Sequence, residues 1–546
     1  MPRSPLLALA TAAAVALTPA AAGAAISAKP LATKRHPGGI VVRQERVTID
    51  GRTSHVTTVT MPKPGRGRAL EPYLPNDIVS AGTTTTSEIT RQLDRYGTAV
   101  GINADLFEYA SGQPSGLFMV DSEIYNQPQG GRPAMFIGVD GMLGMTTPKS
   151  AGVLRVGKRR IPFEVNVRRD DGVVLYDFGW GKTPPPGARR AVVGRITGFR
   201  VFQHPKEWVL TSELRVTRAA PGVLPTPPQG GDTFLFAAYG KAGAALAAVK
   251  RGAHVRMRWH MGPLPGETRH GVGGGPVLVE DGKVVYERSR YREFSDSQLV
   301  PPDARTAVAQ KRDGTVIFYA VDQGPGSAGF TVEEVARDLA RRGADRAMAF
   351  DSGGSTAVSV DGELLNKPSD GYERPIGNVL VYFRPEKGYR MPIESVRVGE
   401  VPPGKRVPRL TYALKGGVKT EVWLHDPRGA AYFVSERRRG KGTHRVRIPK
   451  RILRPGHWQL EIAVPDYQDR VIKDFTVLKT AAAADEQPAQ ADDAQPESVT
   501  ESSAAATDDE DGGDGGSSTG WIAGGAAALL LAAAAAIAIA RRRRAP

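Results

Sequence analysis

The segment MAFDSGGSTAVSV, from Met348 to Val360, places a carboxylate at the end of an apolar run. Asp351 follows this predicted strand, and Gly353, Gly354, Ser355 and Thr356 come shortly after it. Glycine leaves the backbone bare enough for a sugar or a phosphate to approach a fixed carboxylate. The same residue types are also typical of a hairpin turn, because Asp and Ser bond to nearby backbone groups. The segment alone therefore indicates either a turn or a ligand site.

Five further stretches share this polar, glycine-rich character, and each could supply groups to such a site. They are GINADLF with Asn103 and Asp105, GVGGGPVLVEDGK with Gly273, Gly274 and Gly275, ARTAVAQKRDG with Arg305 and Thr306, FYAVDQ with Asp322, and NKPSDGYERPIGN with Asn366, Ser369, Asp370 and Arg374. Each also has a structural interpretation. Asp322 could be a turn residue, Asp370 could close a turn, and Arg374 could pair with Asp370.

The elements that must position these residues follow a pattern that occurs twice. TSEITRQLDRYG and FTVEEVARDLARRG have helical spacing of apolar residues, and Thr331 with Glu334 predicts a capping box in the second. Each helix is followed by a glycine, a strand and a polar cluster. Strand ends that meet in one sheet are where α/β folds build sites. With Asp-Gly pairs predicting many hairpins, residues 41–384 are expected to form an α/β (α+β) catalytic domain with a mixed sheet.

Residues 387–479 differ from this domain and contain short alternating segments separated by turns, which predicts a small all-β sandwich of immunoglobulin-like type. The terminal segments are assigned from their amino-acid composition. Residues 1–24 read as a signal peptide, 481–520 as an acidic disordered stalk, 521–540 as a transmembrane helix and 541–546 as an Arg-rich cytoplasmic tail. The expected localisation is therefore a single-pass membrane protein with a secreted extracellular body.

Composition restricts the chemistry and the partners. The chain has 546 residues and no cysteine, which excludes thiol nucleophiles, thiolate metal sites and disulfides. Its net charge of +16 includes the acidic stalk, so the body is more basic than that value. Outside a cell this favours anionic glycopolymers or lipid headgroups as partners. Nucleic acid is not expected, because the basic residues are scattered and no recognition motif is present.

Taken in order, these motifs resemble the phosphodiester glycosidase family over about residues 41–383. The resemblance rests on VTIDGRTSHVTTV, the element at Asn103, SGLFMVDSEIYN, VVLYDFGWGKTPP, Gly-Gly-Gly-Pro, Arg-Thr-Ala, a strand-end Asp, the element at Asp351, and Asn-x-Pro-Ser-Asp-x-x-x-Arg-Pro. The family includes an enzyme that removes N-acetylglucosamine from a phosphodiester on mannose. The resemblance implies a hydrolase that releases a sugar from a sugar-1-phosphodiester. The targeting segments and the basic body suggest extracellular envelope or exopolysaccharide material as the substrate.

The sequence departs from the family pattern at a few positions. Ser352 stands where a glycine is usual, Gln323 where an arginine is usual, and Ala104 and Leu106 where a glycine and an aromatic residue are usual. The missing arginine removes a cation from the expected phosphate site.

A sugar-1-phosphodiester has a good leaving group, so its hydrolysis mainly needs a carboxylate at the anomeric carbon. Asp351, Asp322 and Asp105 are the candidates for this role. Arg305 and the loop from Gly273 to Gly275 suit the phosphate. The residues that suit the sugar or complete the substrate site are Asn103, Thr306, Gly353, Gly354, Ser355, Thr356, Asn366, Ser369, Asp370 and Arg374.

Two other functions remain open from the sequence. A noncatalytic protein that binds envelope polysaccharide would explain the loss of the arginine at Gln323. A metal-dependent phosphodiesterase would use a divalent cation held by Asp105, Asp322 and Asp351. No EF-hand spacing or histidine cluster supports a metal site, so no cofactor is expected.

Overall fold

We describe a computed structural model of the chain. It covers residues 26–479, apart from short gaps at 66, 76–77, 80–81, 95–96, 121–122, 182–186, 205–206, 222–226, 228–232, 386–391, 428–430, 449–452 and 465–468. The expected signal peptide, stalk, transmembrane helix and cytoplasmic tail lie outside these residues.

The described part of the chain contains 34 β-strands and only three short α-helices. The helices are α1 (Thr86–Asp94), α2 (Asp296–Leu299) and α3 (Val332–Arg341). The expected α/β class is therefore wrong, and the body of the protein is mostly β. Tight Asp-Gly hairpins rather than helical crossovers join many neighbouring strands, as at Asp281 and Asp361, which both have positive φ. Among the described strand pairs, only one is parallel.

The largest sheet has eight strands, and Asp351 follows one of its interior strands. Its strands, in spatial order, are β1 (Ile26–His36), β2 (Ile40–Ile49), β3 (Arg52–Met61), β21 (Val316–Val321), β20 (Arg305–Gln310), β24 (Arg346–Ala349), β18 (Val277–Glu280) and β19 (Lys283–Val284). Helix α3 buries Val335 and Leu339 against this sheet. The predicted capping box of Thr331 and Glu334 is present at its start.

Two five-stranded sheets pack beside the large sheet. The first contains β26 (Glu363–Leu364), β25 (Val358–Val360), β5 (Gly97–Asn103), β27 (Val379–Pro385) and β4 (Ala69–Tyr73). The second contains β7 (Glu123–Asn126), β6 (Phe118–Val120), β17 (Thr268–Gly273), β8 (Ala134–Gly138) and β9 (Leu143–Thr146). A short ribbon consists of β22 (Gln323–Gly324) and β23 (Ser327–Ala328).

A closed seven-stranded barrel is inserted between β9 and β17. Around the ring, its strands are β10 (Lys149–Val156), β11 (Arg159–Val165), β12 (Gly172–Tyr176), β15 (Thr233–Tyr239), β13 (Arg190–His204), β14 (Glu207–Pro221) and β16 (His254–Gly262). Apolar side chains of the barrel and of the neighbouring sheets form one continuous core. This barrel was not predicted from the sequence.

The C-terminal region has two small sheets around a separate core that includes Trp458. One sheet has β28 (Ile393–Val398), β29 (Leu410–Leu414) and β32 (Gly442–Arg445), and the other has β31 (Ala431–Arg439), β30 (Val418–His425), β33 (Gly456–Val464) and β34 (Asp469–Val477). The immunoglobulin-like type expected for residues 387–479 stays a prediction.

No helix within residues 26–479, as described, is long and apolar enough to cross a membrane. The expected single-pass localisation is corrected on this finding and is not retained. The segment 521–540 that suggested it lies outside the described residues.

A buried ion cluster joins the C-terminal sandwich to the body. His425 Nε2 lies 3.0 Å from Glu461 Oε2, and its Nδ1 lies 3.0 Å from Glu267 Oε2 of the body. Arg269 of the body also lies 2.7 Å from Glu461. Burial lowers the pKa of His425, but Glu267 and Glu461 outweigh this effect and raise it to about 9. Burial raises the pKa of Glu461, but His425 and two arginines lower it to about 2.

These pKa shifts define the pH range over which the cluster stabilises the fold. The folded pKa of His425 exceeds its ordinary value of 6.5, so its contribution is complete below about pH 6.5 and is lost as pH rises through about 9. Glu461 contributes above its ordinary pKa of 4.5, and this contribution is lost as pH falls toward 2. The junction is therefore most stable at mildly acidic pH.

We expect His425→Gln to lower the free energy of unfolding by roughly 3 kcal/mol near pH 6, because it breaks a buried charge pair. The difference from wild type should shrink above about pH 9, where His425 is neutral in the folded protein. Denaturant unfolding at both pH values measures this. His457→Gln is the matched control, since His457 pairs with Asp474 on the surface and should cost less than about 1 kcal/mol. Equal losses for His425→Gln at both pH values would contradict the assignment.

Candidate active site

Asp351 lies where strands from two different sheets meet. It follows β24 of the eight-stranded sheet, and its N–H donates to the carbonyl of Ala104, just after β5. In return, Asn103 Nδ2 donates to the Asp351 carbonyl at 2.6 Å. The two polar clusters therefore come together as expected. They do so across two sheets, however, and not at the edge of one mixed sheet.

Asn103 is the centre of the polar network beneath this point and is only 1% exposed. Its Oδ1 accepts from the hydroxyl of Thr306 at 2.8 Å and from the N–H of Ala357 at 3.0 Å. The Thr306 hydroxyl also lies 3.2 Å from that of Thr356. These three predicted sugar-binding side chains are buried and bond to one another, so in this structure they hold the segment after Asp351 in place.

Asn366 supports the same segment from its other end. Its Oδ1 accepts from the N–H of Val358 at 2.9 Å, and its Nδ2 donates to the carbonyl of Thr356 at 3.0 Å. Asp322, at the end of β21, accepts from the N–H of Lys367 at 3.1 Å. Burial raises the pKa of Asp322 to about 6, although bonds from Lys367 and Asn366 oppose this shift.

Asp322 and Asp351 follow strands that end on the same side of the large sheet, but these strands are not neighbours. The strands that they follow are separated by β20, which puts their backbones about 10 Å apart at ordinary strand spacing. Asp322 is 6% exposed and faces Asn366 and Lys367. The catalytic role predicted for it stays a prediction.

Asp351 is partly exposed as a residue, and its carboxyl has an unusual proton affinity. Burial raises its pKa to about 6, and the charge of Asp105 adds to this shift. Bonds from the Ser355 side chain and the Ser352 N–H, together with the charge of Arg374, oppose it. A carboxyl that titrates near neutral pH is a common property of catalytic acids and bases.

Asp105 lies deeper and is held by Arg132. Its Oδ1 is 2.7 Å from Arg132 Nη2, and its side chain is fully buried. Burial raises the pKa of Asp105, and Arg132 opposes that effect. Asn378 fixes the backbone by accepting from the Asp105 N–H at 2.6 Å and donating to its carbonyl at 3.0 Å. Asp105 is therefore placed to position Arg132.

The three glycines allow close packing, and Gly273 makes room for Asp105. A Cβ at Gly273 would lie 2.4 Å from Asp105 Oδ2, and one at Gly274 would lie 2.7 Å from Met348 Cε. The N–H groups of Gly273, Gly274 and Gly275 all donate to main-chain carbonyls. In this structure the loop therefore does not offer these N–H groups to a phosphate, and its glycines serve close packing.

A cavity of about 140 Å³ lies beside Asp351 and is lined by Arg132, Gly275, Asp303 and Arg305 among others. The Arg132 side chain is 10% exposed and packs over the ring of Phe294. Its Nε has no hydrogen-bond partner among the described residues. A buried donor without an acceptor is costly, so this guanidinium is suited to an anion in the cavity.

Arg305, the predicted phosphate ligand, is only 4% exposed and is largely engaged. Its guanidinium donates to the carbonyls of Phe330, Gln298 and Pro301. These bonds stabilise one wall of the cavity, the wall that contains α2. The phosphate role stays a prediction, but the bonds observed here are those of a supporting residue.

An ion pair forms the open rim on the other side of Asp351. Arg374 Nη2 lies 2.6 Å from Asp370 Oδ2, as the structural interpretation of this pair expects, and Arg374 Nη1 donates to the Tyr109 hydroxyl at 2.9 Å. The pair lies against Gly354, where a Cβ would come within 2.0 Å of Arg374 Nη2. Glycine is required at this position because the ion pair occupies the space. Ser369 lies partly exposed in the same segment.

Gly353 is the other glycine of the opening segment, and it has a φ of +64°, a conformation that favours glycine. Its N–H donates to the carbonyl of Ala304 at 2.9 Å. Within the described residues, no group of three or more His, Cys, Asp or Glu side chains could hold a metal ion. The cation site considered from the sequence at Asp105, Asp322 and Asp351 stays a hypothesis.

Sequence reasoning missed Arg132, Asn378 and Tyr109. Arg132 follows a Gly-Gly pair before β8, and nothing in that local pattern distinguishes it from the many surface arginines. Asn378 directly precedes β27 and reads as an ordinary turn residue. Tyr109 is 71% exposed, and only its contact with Arg374 connects it to the site.

Comparison with known proteins was made by sequence and by structure. A sequence model of the phosphodiester glycosidase family matches residues 224–383. The SPbeta prophage-derived uncharacterized protein YomE of Bacillus subtilis (strain 168) is 29% identical over 120 residues, which are 22% of this chain and 18% of that protein. The chain thus matches less than a fifth of the length of this curated relative.

Two solved structures are similar to parts of the chain. A hypothetical protein from Synechocystis has a TM-score of 0.54 at 24% identity, covering 64% of this chain and 63% of that one. This likeness supports the fold alone. The catalytic domain of zebrafish N-acetylglucosamine-1-phosphodiester alpha-N-acetylglucosaminidase, auto-inhibited by its pro-peptide, has a TM-score of 0.32 at 14% identity, covering 66% of this chain and 84% of that one.

The family match begins at 224 and includes Gly273 to Gly275, Arg305, Asp322, Asp351 and Arg374, but not Asn103 or Asp105. It thus contains five of the nine motifs that carried the resemblance. The resemblance inferred from the motifs is confirmed, because the model of the phosphodiester glycosidase family matches residues 224–383 of this chain.

Proposed function

We propose that this protein hydrolyses the bond between a sugar and the phosphate of a sugar-1-phosphodiester, outside the cell and on envelope or exopolysaccharide material. The observation that carries the proposal is the position of Asp351. Its carboxyl, with a pKa raised to about 6 chiefly by burial, lines the cavity that Arg132 also lines, and the charge of Arg374 acts on it from the rim. A carboxylate between two cations suits a substrate with an anion next to its reacting carbon.

In the proposed reaction, the anomeric carbon lies at the Asp351 carboxylate. The bond from this carbon to the phosphate oxygen breaks, and its electron pair leaves with the phosphate monoester. The carboxylate stabilises the positive charge that develops on the sugar. Water supplies the new hydroxyl at the anomeric carbon, and the proton that it loses passes to the departing phosphate monoester or to solvent. Because a phosphate monoester leaves readily, no strong general acid is required at the leaving oxygen.

Arg132 is proposed to hold the phosphate. Asp105 holds its guanidinium in place at 2.7 Å, and its Nε–H, which has no partner among the described residues, offers a hydrogen bond to an anion oxygen. It takes the role that the sequence analysis gave to Arg305, whose N–H groups bond to carbonyls. Tyr109, exposed beside Arg374, offers an aromatic face at the rim against which a sugar ring can pack.

The proposal is tested by incubating the purified full chain with a panel of sugar-1-phosphodiesters that differ in the sugar, N-acetylglucosamine included. Release of free sugar and of the phosphate monoester is expected for at least one member. Production of sugar-1-phosphate and free alcohol would instead identify a phosphodiesterase. A protein that binds the panel without turnover would be the noncatalytic alternative.

We expect Asp351→Asn to lower kcat/KM by at least about 100-fold, since it keeps the shape of the side chain and removes its charge. Steady-state kinetics on the best panel substrate measure this. Asp281→Asn is the matched control, because Asp281 occupies a hairpin turn with φ of 49°, a conformation that Asn also adopts readily. If Asp351→Asn folds normally and stays within a few-fold of wild type, Asp351 is not catalytic.

The pH dependence should report the same carboxyl. Because Asp351 must be ionised, kcat/KM should rise with pH and level off above about 6, the value to which its pKa is raised. Asp322 has a similar pKa, so the profile of Asp322→Asn separates the two. The inflection should persist in that variant. Its loss in Asp322→Asn would transfer the role to Asp322.

Substitution of each arginine by lysine distinguishes the role of Arg132 from that of Arg305. Arg132→Lys keeps the charge but loses the planar fork, so we expect kcat/KM to fall about tenfold or more on a phosphodiester. It should change much less on an uncharged aryl glycoside of the same sugar. Arg305→Lys should instead lower the Tm and affect both substrates alike, because its three bonds are to carbonyls. A phosphodiester-specific loss in Arg305→Lys alone would restore the original assignment.

A further inference from the structure

A groove on the outside of the barrel is lined by four arginines, and among the described residues only one of them pairs with a carboxylate. The groove encloses about 840 Å³ between β10, β11, β14 and β16. Arg155 lies directly opposite Arg160 on one neighbouring strand and opposite Arg256 on the other. Arg258 lies two residues further along β16. All four side chains are exposed.

The charge in the groove is poorly compensated. Arg256 lies 3.6 Å from Glu213, and Glu207 also lines the groove. No ion pair or hydrogen bond involves the side chains of Arg155, Arg160 or Arg258 within the described part of the chain. Like charges placed directly opposite each other on neighbouring strands destabilise a sheet. A polyanion in the groove would remove this repulsion.

The shape and the lining of the groove indicate the class of anion. Arginine binds phosphate oxygens with two parallel hydrogen bonds, and several arginines along one groove suit a chain of repeated phosphates. Proteins that bind single-stranded nucleic acid add aromatic side chains on which the bases stack. Among the described residues that line this groove there is no Phe, Tyr or Trp, and its floor includes Val153 and Met257. The lining therefore favours a polymer without bases.

We propose that this barrel groove binds the backbone of an anionic, phosphodiester-linked polymer without nucleobases. This proposal rests on the proposed function, because such a polymer is the substrate whose sugar the site at Asp351 would remove. The groove would hold the polymer on the enzyme while individual sugars are cleaved. It would therefore lower KM for long substrates and leave turnover of a single sugar-1-phosphodiester unchanged.

The test uses a synthetic poly(glycerol phosphate) of ten repeats, which has no sugar and cannot be a substrate of the site at Asp351. Its binding to wild type and to the double variant Arg155→Gln, Arg258→Gln is measured by calorimetry at fixed salt. We expect the double variant to bind at least tenfold more weakly. The matched control is Arg397→Gln with Arg445→Gln, which removes the same charge from exposed positions in the C-terminal sandwich and should change binding less than about twofold.

Three results would overturn the proposal. These are unchanged binding in the groove variant, equal losses in the groove and sandwich variants, or tighter binding of an oligothymidylate with the same number of phosphates. The last result would make the groove a nucleic-acid site. The polymer lacks a sugar, so its binding does not depend on catalysis. Turnover without polymer binding therefore refutes the groove alone, and polymer binding without turnover refutes only the proposed reaction.

Discussion

The geometry of the candidate site depends on the buried side chain of Asn103. One amide accepts from Thr306 of the large sheet and from the N–H of Ala357, and it donates to the carbonyl of Asp351. These bonds join β5 to β20 and to the segment after β24, which belong to two different sheets. Because every polar group of Asn103 has a partner in a buried setting, a shift of either sheet would leave costly unsatisfied groups. The position of the Asp351 carboxyl is fixed by this junction.

The electrostatics follow from the same arrangement. Packing two sheets together desolvates Asp351 and Asp105, and the nearby charge of Asp105 makes ionisation of Asp351 harder still. Arg132 offsets the buried charge of Asp105, and its Nε–H has no hydrogen-bond partner among the residues that the structure describes. As a result, the ionisable carboxyl of Asp351 and the guanidinium of Arg132, which can bind an anion, line one cavity. Such a site favours a substrate that brings its own negative charge, as a sugar-1-phosphodiester does.

The local features of the chain could be predicted from its sequence. The capping box at Thr331, the hairpins at Asp281 and Asp361, and the strand ends at Asn103 and Asp351 follow from short-range rules and are present. The fold class was wrong because two helix-strand units suggested a common α/β sheet, whereas β5 and β24 belong to separate, largely antiparallel sheets. Local patterns do not report which distant strands pair. For the same reason, the sequence could not show that Arg305 would bond to carbonyls while Arg132 reached Asp105 and the cavity.

The central claim is that the bond between the sugar and the phosphate oxygen breaks on the sugar side. Hydrolysis of a sugar-1-phosphodiester in water enriched in oxygen-18 tests this most directly, because oxygen on phosphorus does not exchange with water during the assay. If attack is at the anomeric carbon, mass spectrometry should find the phosphate monoester unlabelled and the new oxygen on the sugar. Oxygen-18 in the phosphate product would mean that the bond to phosphorus is broken, and it would contradict a glycosidase.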